Sequence, residues 1–286
     1  MIKLKMFKTT AAAAAMVAMF GAASAASATE TVIPQSALVS SSGYYTNSIG
    51  QISVTNGGGN ANGAGDPTGR NDDGFNGPVA LGFNYTLFGT TYNSIFINNN
   101  GNVSFGNGIS AFVPTGPTGA SQPVISPWFD DVDTRGALSG VVHYSLSTPG
   151  ELIVTWDNVG YFSAHDDLLD SFQLVLRADN FAVPTGEGQI GFFYGNMGWE
   201  QTDTSQVAAI GFGDGSGNGE VLAGSSTQAN LNSVVANHHI WFDQNLAVVP
   251  SSGGVPEPAT WAMMIVGTGL AGSMIRRRRR GATSLA

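Results

Sequence analysis

Short apolar runs separated by turn residues fill the chain between residues 79 and 212, and they limit its fold more than any other feature. No long segment of helical periodicity occurs before the C-terminal tail. Runs of this length and spacing are typical of antiparallel β-sandwiches, so we predict an all-β fold. The runs are residues 79–88, 94–97, 103–105, 141–146, 152–159, 172–177, 190–194 and 208–212. Their alternation predicts that six side chains point inward: Phe96, Trp156, Phe172, Leu174, Leu176 and Phe192.

Turn residues divide the chain into one main domain with flanking segments. Asn98 to Gly101 lie between two apolar runs and predict a hairpin, because Asn-Gly tolerates the positive φ that both central residues of a tight turn need. Residues 29–77 are rich in Gly, Asn and Ser and cannot bury enough apolar area to fold alone, although parts of them can add an edge strand. We therefore expect a β domain at 78–245 and a linker at 246–254.

The N-terminus has the three parts of a secretory signal peptide. Three lysines lie among the first eight residues, and an apolar stretch follows at residues 11–26. Ala26 and Ala28 flank Ser27 and form a small-residue cleavage site. We predict a signal helix within residues 1–28 and cleavage after Ala28.

The C-terminal tail, residues 255–280, has the order of a membrane-inserted sorting segment. Two prolines prevent a helix from starting upstream. Residues 259–275 carry no charge and would form a transmembrane helix of about 25 Å. Basic residues at the end of this span fix it on the cytoplasmic side, so the body of the protein lies outside the cytoplasm. The residues that define the tail are Pro256, Glu257, Pro258, Trp261, Arg276, Arg277, Arg278, Arg279 and Arg280.

This tail resembles the PEP-CTERM sorting signal of Gram-negative bacteria, in the PEP-x-x-WA variant. The resemblance implies export by the secretion machinery, an inner-membrane anchored precursor, and cutting at the Pro-Glu-Pro site by an exosortase. The processed protein would then reach the cell surface or the extracellular matrix. The alternative is a permanent single-span anchor. Because a similar tail occurs on bacterial ice-binding proteins, the tail indicates a destination and no activity.

The exported body is strongly acidic. Residues 29–254 contain 19 acidic and 3 basic residues, which leaves a net charge of −16 with histidine neutral. Such a surface repels nucleic acid and anionic membranes and attracts divalent cations. The chain has no cysteine, so disulfides, metal thiolates and thiol nucleophiles are all excluded.

Six segments follow one another along the exported body: residues 123–135, 140–144, 154–160, 171–176, 190–195 and 209–212. In this order they resemble the NIDO domain, an extracellular module found in nidogen, α-tectorin and some mucins. The lead-in at residues 83–105 is similar as well. The resemblance implies a non-enzymatic role in cell-matrix adhesion or matrix assembly, with an unknown matrix protein or polysaccharide as partner.

Acidic loops provide the candidate metal ligands. Asp130, Asp131 and Asp133 could bind calcium, and alternation would place the last two on one face. The alternative is a solvated loop capped by Arg135. Residues 214–219 resemble half of a calcium loop, but a Gly-rich turn is favoured there. A third acidic cluster, between two strands, is expected to be a plain loop, and it consists of His165, Asp166, Asp167 and Asp170.

Catalysis has little support in the sequence, because no nucleophile elbow, HExxH helix or phosphate-binding glycine loop occurs. Asp130 and Asp157 could form a glycosidase pair only if the fold brought them together. Three tryptophans, Trp128, Trp156 and Trp199, are expected in the core. If they were exposed beside an acidic loop, a calcium-dependent, lectin-like carbohydrate-binding protein would be the better interpretation. That protein, or an ice-binding surface protein, is the alternative function.

Overall fold

The computed structural model describes residues 29–59, 64–113, 116–200 and 207–250, which form fifteen strands and one short α-helix, α1 (Leu231–Val235). The strands are β1 (Glu30–Ile33), β2 (Val39–Ser40), β3 (Gln51–Ile52), β4 (Gly57–Gly58), β5 (Gly74–Leu87), β6 (Thr90–Asn98), β7 (Asn102–Ser104), β8 (Pro123–Phe129), β9 (Val142–Ser145), β10 (Glu151–Tyr161), β11 (His165–Arg177), β12 (Ile190–Met197), β13 (Ala209–Asp214), β14 (Gly219–Leu222) and β15 (His238–Phe242). Gln35–Ala37 and Pro117–Gly119 form single 3-10 turns.

The strands form two sheets, and their order agrees with the predicted sandwich. Sheet A has the order β1-β14-β13-β8-β7-β6-β5-β4, and sheet B has the order β2-β15-β12-β11-β10-β9-β3. β1 runs parallel to β14, and all the other strand pairs of the described residues are antiparallel. The all-β, predominantly antiparallel prediction is therefore confirmed.

The signal helix at residues 1–28 and the transmembrane helix at 259–275 both lie outside the described residues, as do the cleavage site and the sorting residues. Within the described part of the chain, no helix is long and apolar enough to cross a membrane.

The core lies between the two sheets and follows the predicted alternation on sheet B. Trp156 pairs with Phe172 across β10 and β11, and their rings stack at 4.9 Å between centroids. Phe192 of sheet B reaches across to Phe212 of sheet A, at 5.4 Å. Five of the six predicted core side chains are fully buried, namely Trp156, Phe172, Leu174, Leu176 and Phe192.

Phe96 was predicted to point inward, and this prediction is wrong. Ile95 and Ile97 occupy the core face of β6, so Phe96 lies on the opposite face. It is half-buried there and contacts the edge of Phe75 at 5.8 Å. Because Phe96 is flanked by isoleucines in sequence, alternation alone could not say which face of this apolar run was buried.

The predicted hairpin exists between β6 and β7, with a different turn. Asn98 pairs with Asn102, so the loop holds three residues, 99–101. Only Gly101 among them has a positive φ, of 72°. A Cβ added to Gly101 would lie 1.6 Å from the backbone oxygen of Trp128, so no other residue fits this close approach of the two backbone segments.

This turn is buried and bonded to both sheets. The indole Nε1 of Trp156, in sheet B, donates to the backbone oxygen of Asn99 at 2.9 Å. The amide of Trp128, in sheet A, donates to the oxygen of Gly101 at 3.2 Å, and the Asn99 amide donates to Gly74 at 2.9 Å. The turn thus joins the two layers at one end of the sandwich.

The N-terminal segment, residues 29–77, contributes to both sheets. Its short strands β1 and β4 form the two edges of sheet A, and β2 and β3 form the two edges of sheet B. Between them the chain crosses the outer face of sheet B, where Gln173 Nε2 donates to Thr46 O at 3.1 Å. Arg177 Nη2 donates to the Tyr45 hydroxyl at 2.9 Å. Polar groups on this face are therefore buried under the segment.

The residues after β15 also pack against sheet B. Val248 forms a bridge with Phe242, and the Val249 amide donates to Trp241 O at 2.9 Å. Leu246 is buried. The first residues of the predicted linker, 246–254, are thus in contact with the fold.

The different environments of Phe192 and Phe96 predict different costs of truncation. We expect Phe192→Ala to lower the free energy of unfolding by about 3–5 kcal/mol, since it leaves a cavity beside the rings of Phe212 and Phe242. Phe96→Ala should cost less than half as much, because that ring is half-buried outside the core. Urea unfolding of both variants measures the difference, and equal losses would contradict the described register of β6.

Candidate functional site

The acidic motif after β8 contains the three predicted metal ligands. Their side chains lie in three different environments. Asp130, Asp131 and Asp133 are all buried, at 0%, 3% and 0% exposure. Each of them has different neighbours. The expectation of a solvent-exposed loop is therefore wrong, and the three residues do not converge on one point.

The carboxylate of Asp133 forms an ion pair with Arg135. Its Oδ1 accepts hydrogen bonds from the Arg135 amide and from Arg135 Nε, each at 2.9 Å. Its Oδ2 accepts from Arg135 Nη2 at 2.5 Å and from the Ala164 amide at 2.7 Å. Both carboxylate oxygens are thus held by protein donors, so Asp133 has a structural role in closing this loop.

Asp130 lies in the interior, where Asp170 is also found. Asp170 Oδ1 accepts from the Trp199 amide at 3.0 Å. The Trp128 indole lies near Asp170 and favours the charged form of its carboxyl. Trp128 Nε1 and Asp170 Oδ2 nevertheless make no hydrogen bond within the described residues. Burial raises the pKa of both carboxyls well above the usual range, and the charge of Asp130 adds to the effect on Asp170.

The carboxylate of Asp131 lies close to two carboxylates from another part of the chain. Asp72 and Asp73 precede β5, and one carboxylate oxygen from each of the three residues lies within 4.8 Å of the others. Asp72 and Asp131 are buried, and Asp73 is half-buried. We call Asp72, Asp73 and Asp131 the acidic cluster.

Crowding affects the protonation of the acidic cluster. Burial, together with the nearby charges of Asp133 and Asp73, raises the pKa of Asp72 to about 7, against the opposing effect of Arg135. Burial also raises the pKa of Asp73. Arg135 Nη2 contacts Asp72 Oδ2 at 2.7 Å, so it partly compensates the cluster on one side.

Sequence reasoning placed Asp131 among the candidate ligands but missed Asp72 and Asp73. They lie in the segment whose Gly-rich composition suggested no fixed structure. A usable signal was present, because residues 71–74 read Asn-Asp-Asp-Gly directly before an apolar run. Their position beside Asp131 depends on how β5 and β8 are placed in the sheet, which the sequence does not reveal.

The other acidic segments have local structural roles. The expectation that the third cluster is a plain loop is wrong, because its four residues lie within β11. Asp214 Oδ1 accepts from the amides of Ser216 and Asn218, at 2.7 and 3.0 Å, which closes the turn between β13 and β14. Asp166 accepts from the Leu138 amide at 2.7 Å, and Asp167 accepts from the Tyr161 hydroxyl at 3.0 Å. His165 bonds to Phe162 and Asp170 is buried, so the members of this third cluster have separate partners.

The residues weighed for sugar binding or catalysis serve the fold instead. Trp128, Trp156 and Trp199 are buried, at 0%, 0% and 3% exposure, as expected for core residues. They offer no exposed platform for a sugar ring. Asp130 is fully buried, whereas Asp157 accepts from the Tyr44 hydroxyl at 2.9 Å, so the two carboxyls have different surroundings.

Comparison with known proteins identifies this β-sandwich as a NIDO-related domain. The family model described as NIDO related matches residues 38–255, and the chain belongs to this family. Residues 254–280 match the PEP-CTERM protein-sorting motif. The chain is therefore an exported protein of the cell surface or extracellular space that carries an exosortase sorting signal.

Several animal proteins are similar over part of this domain. Alpha-tectorin of Gallus gallus is 26% identical over 141 residues, which is 39% of this chain and 7% of that protein. Nidogen of Drosophila melanogaster is 25% identical over 146 residues, or 42% of this chain and 10% of nidogen. The chain thus covers a tenth or less of the curated relatives it matches. No solved structure matches it.

The buried carboxyl of Asp170 predicts a particular pH dependence. Because its folded pKa is raised, the folded state keeps a proton that the unfolded state releases above a pKa of about 3.9. The contribution of Asp170 to stability is therefore greatest below that pH and falls as pH rises toward the folded pKa, by up to about 1.4 kcal/mol per pH unit. Asp170→Asn removes this dependence.

The measurement is urea unfolding between pH 4 and pH 8 for the unmodified protein, Asp170→Asn, and the exposed control Asp167→Asn. The unmodified protein should lose stability relative to Asp170→Asn as pH rises, and Asp167→Asn should follow the unmodified protein. Parallel pH profiles for all three would show that Asp170 is ionised in the fold.

Proposed function

We propose that this chain is a non-enzymatic bacterial surface protein that associates with the extracellular matrix, through a matrix protein or an exopolysaccharide. The supporting observation is that the NIDO-related match and the sorting motif adjoin, at residues 38–255 and 254–280. No catalytic domain fits between them. The NIDO-related match covers most of residues 29–254, so we assign the interaction to this domain.

The partner is constrained by charge. The exported body has a net charge of −16, and at neutral pH it repels polyanions that lack a bridging cation. Neutral or basic polymers are favoured partners, and acidic polysaccharides require a divalent ion between the two surfaces. Adhesion through this surface should therefore depend on ionic conditions.

The sorting route involves cutting at Pro256-Glu257-Pro258 by an exosortase, after insertion of residues 259–275 in the inner membrane. The last described residue, Pro250, is six residues from Pro256. Six residues span at most about 20–22 Å. The folded domain would then lie close to the membrane during processing, and the enzyme would reach the site through a narrow gap.

Processing predicts a defined C-terminus. The mature protein should lack Trp261 and the five arginines, whereas Pro256→Ala with Pro258→Ala should retain them and stay in the membrane fraction. Pro250→Ala provides a proline control outside the motif and should be processed normally. Intact-mass spectrometry of each fraction measures the outcome. A mature protein that still ends at Ala286 would favour a permanent anchor.

Matrix association predicts retention that depends on the folded domain. In a deletion strain, the unmodified protein should restore binding of the processed form to isolated matrix, and Gly101→Val should not, because its side chain clashes with Trp128 O. Phe96→Ala controls for minor surface change. Pull-down against separated matrix protein and exopolysaccharide fractions identifies the partner class. Equal retention of Gly101→Val would contradict a role for the folded domain.

A further inference from the structure

The acidic cluster is built from two distant parts of the chain that the fold holds together. The Asn71 amide donates to Thr134 Oγ1 at 2.9 Å, and the Thr134 amide donates to Asn71 O at 3.0 Å. These bonds fix the loop that carries Asp72 and Asp73 against the loop that carries Asp131. The three carboxylates therefore meet because of backbone geometry, despite their mutual repulsion.

The spacing of the acidic cluster suits one cation. Calcium takes oxygen ligands at about 2.3–2.6 Å, so ligands on opposite sides of an ion lie about 4.6–5.2 Å apart. One oxygen from each of Asp72, Asp73 and Asp131 lies within 4.8 Å of the others. The set therefore fits around a single ion, and half-buried Asp73 leaves the cluster accessible from solvent.

A neighbouring amide gives independent evidence for a ligand. Asn100 is 1% exposed, and its Nδ2 donates to Asp73 Oδ1 at 2.9 Å and to Ala111 O at 3.0 Å. Its Oδ1 is buried and has no hydrogen-bond partner. Leaving a buried acceptor unsatisfied costs about 1–3 kcal/mol, so such atoms require an explanation.

A second acceptor of the same kind lies within the acidic cluster. Asp72 uses Oδ2 to bind Arg135, while its Oδ1 is buried without a hydrogen-bond partner. Both unsatisfied atoms, on Asn100 and Asp72, are oxygens that only accept. A cation satisfies several acceptors at once, and it also offsets negative charge where Asp72, Asp73 and Asp133 all act on the guanidinium of Arg135.

We propose that Asp72, Asp73 and Asp131, with Asn100 Oδ1, form a calcium-binding site. The ligands are carboxylate and amide oxygens, which is the donor set that calcium prefers. The geometry comes from irregular loops, which suit the variable coordination of calcium better than the strict octahedron of magnesium. A bound ion would join the loop before β5, the β6–β7 turn and the end of β8.

Terbium luminescence in the full chain, held in detergent micelles, tests this proposal directly. Terbium replaces calcium at oxygen sites, and Trp128 lies three residues before Asp131 as a sensitiser. Tryptophan-excited terbium emission should appear and then be displaced by calcium, with an apparent Kd of about 10⁻⁴ to 10⁻³ M. Magnesium at the same concentration should displace little.

Matched variants distinguish calcium binding at the acidic cluster from a general effect of the protein's negative charge. Asp73→Asn with Asp131→Asn should weaken calcium binding by about tenfold or more, since two charged ligands are lost. The control, Asp166→Asn with Asp167→Asn, removes the same charge from the start of β11 and should leave the affinity unchanged. If the first pair fails to fold, the single variant Asp73→Asn decides by the same criterion.

Thermal melting gives a second measure. Calcium at 10 mM should raise the melting temperature by about 3–10 °C, and magnesium or sodium chloride of equal ionic strength should not. The proposal is overturned if magnesium stabilises as much as calcium does. It is also overturned if Asp166→Asn with Asp167→Asn weakens terbium and calcium binding as much as the cluster variants do.

Discussion

The close packing of the β6–β7 turn against β8 is the constraint on which the rest of the sandwich depends. At Gly101 the two backbones approach so closely that even a methyl group would overlap Trp128 O. This contact fixes where the Asn99 carbonyl lies, and that carbonyl receives the indole of Trp156 from the other sheet. Asn100, in the same turn, faces the acidic cluster through Asp73. Sheet packing and the proposed ion site therefore share one rigid support.

The alternation of residues along the strands predicted the core-facing positions of sheet B better than those of sheet A. On β10, β11 and β12 the inward positions are large and apolar, so their period of two is readable in the amino-acid sequence itself. On β6 the run Ile95-Phe96-Ile97 is apolar on both faces, and the choice of face came from pairing with β5 and β7. Strands β1 to β4 have only two to four residues and are held by backbone pairing. Edge strands were expected in residues 29–77, and β2 and β3 are edge strands of sheet B, but the sequence did not indicate that the segment borders both sheets.

The acidic cluster could be predicted only in part, for a similar reason. The sequence shows which residues are acidic, but it does not show which carboxylates meet across 58 positions between Asp73 and Asp131. Local alternation grouped Asp131 with Asp133. In the structure, Asp133 forms an ion pair with Arg135, and Asp131 lies beside the loop before β5. The order of the strands in the sheet therefore determines which carboxylates form the cluster, and the local sequence pattern predicted only Asp131 among them.

The scarcity of positive charge has a practical consequence for handling this protein. Between residues 29 and 254 trypsin has only three cleavage sites, Arg70, Arg135 and Arg177, and there is no lysine for amine-directed reagents. Each arginine is engaged: Arg70 with the backbone oxygens of Thr134 and Gly136, and the other two with carboxylates. The folded domain should be a poor substrate for trypsin-like proteases. Peptide mapping of its surface will need an enzyme that cuts at acidic residues.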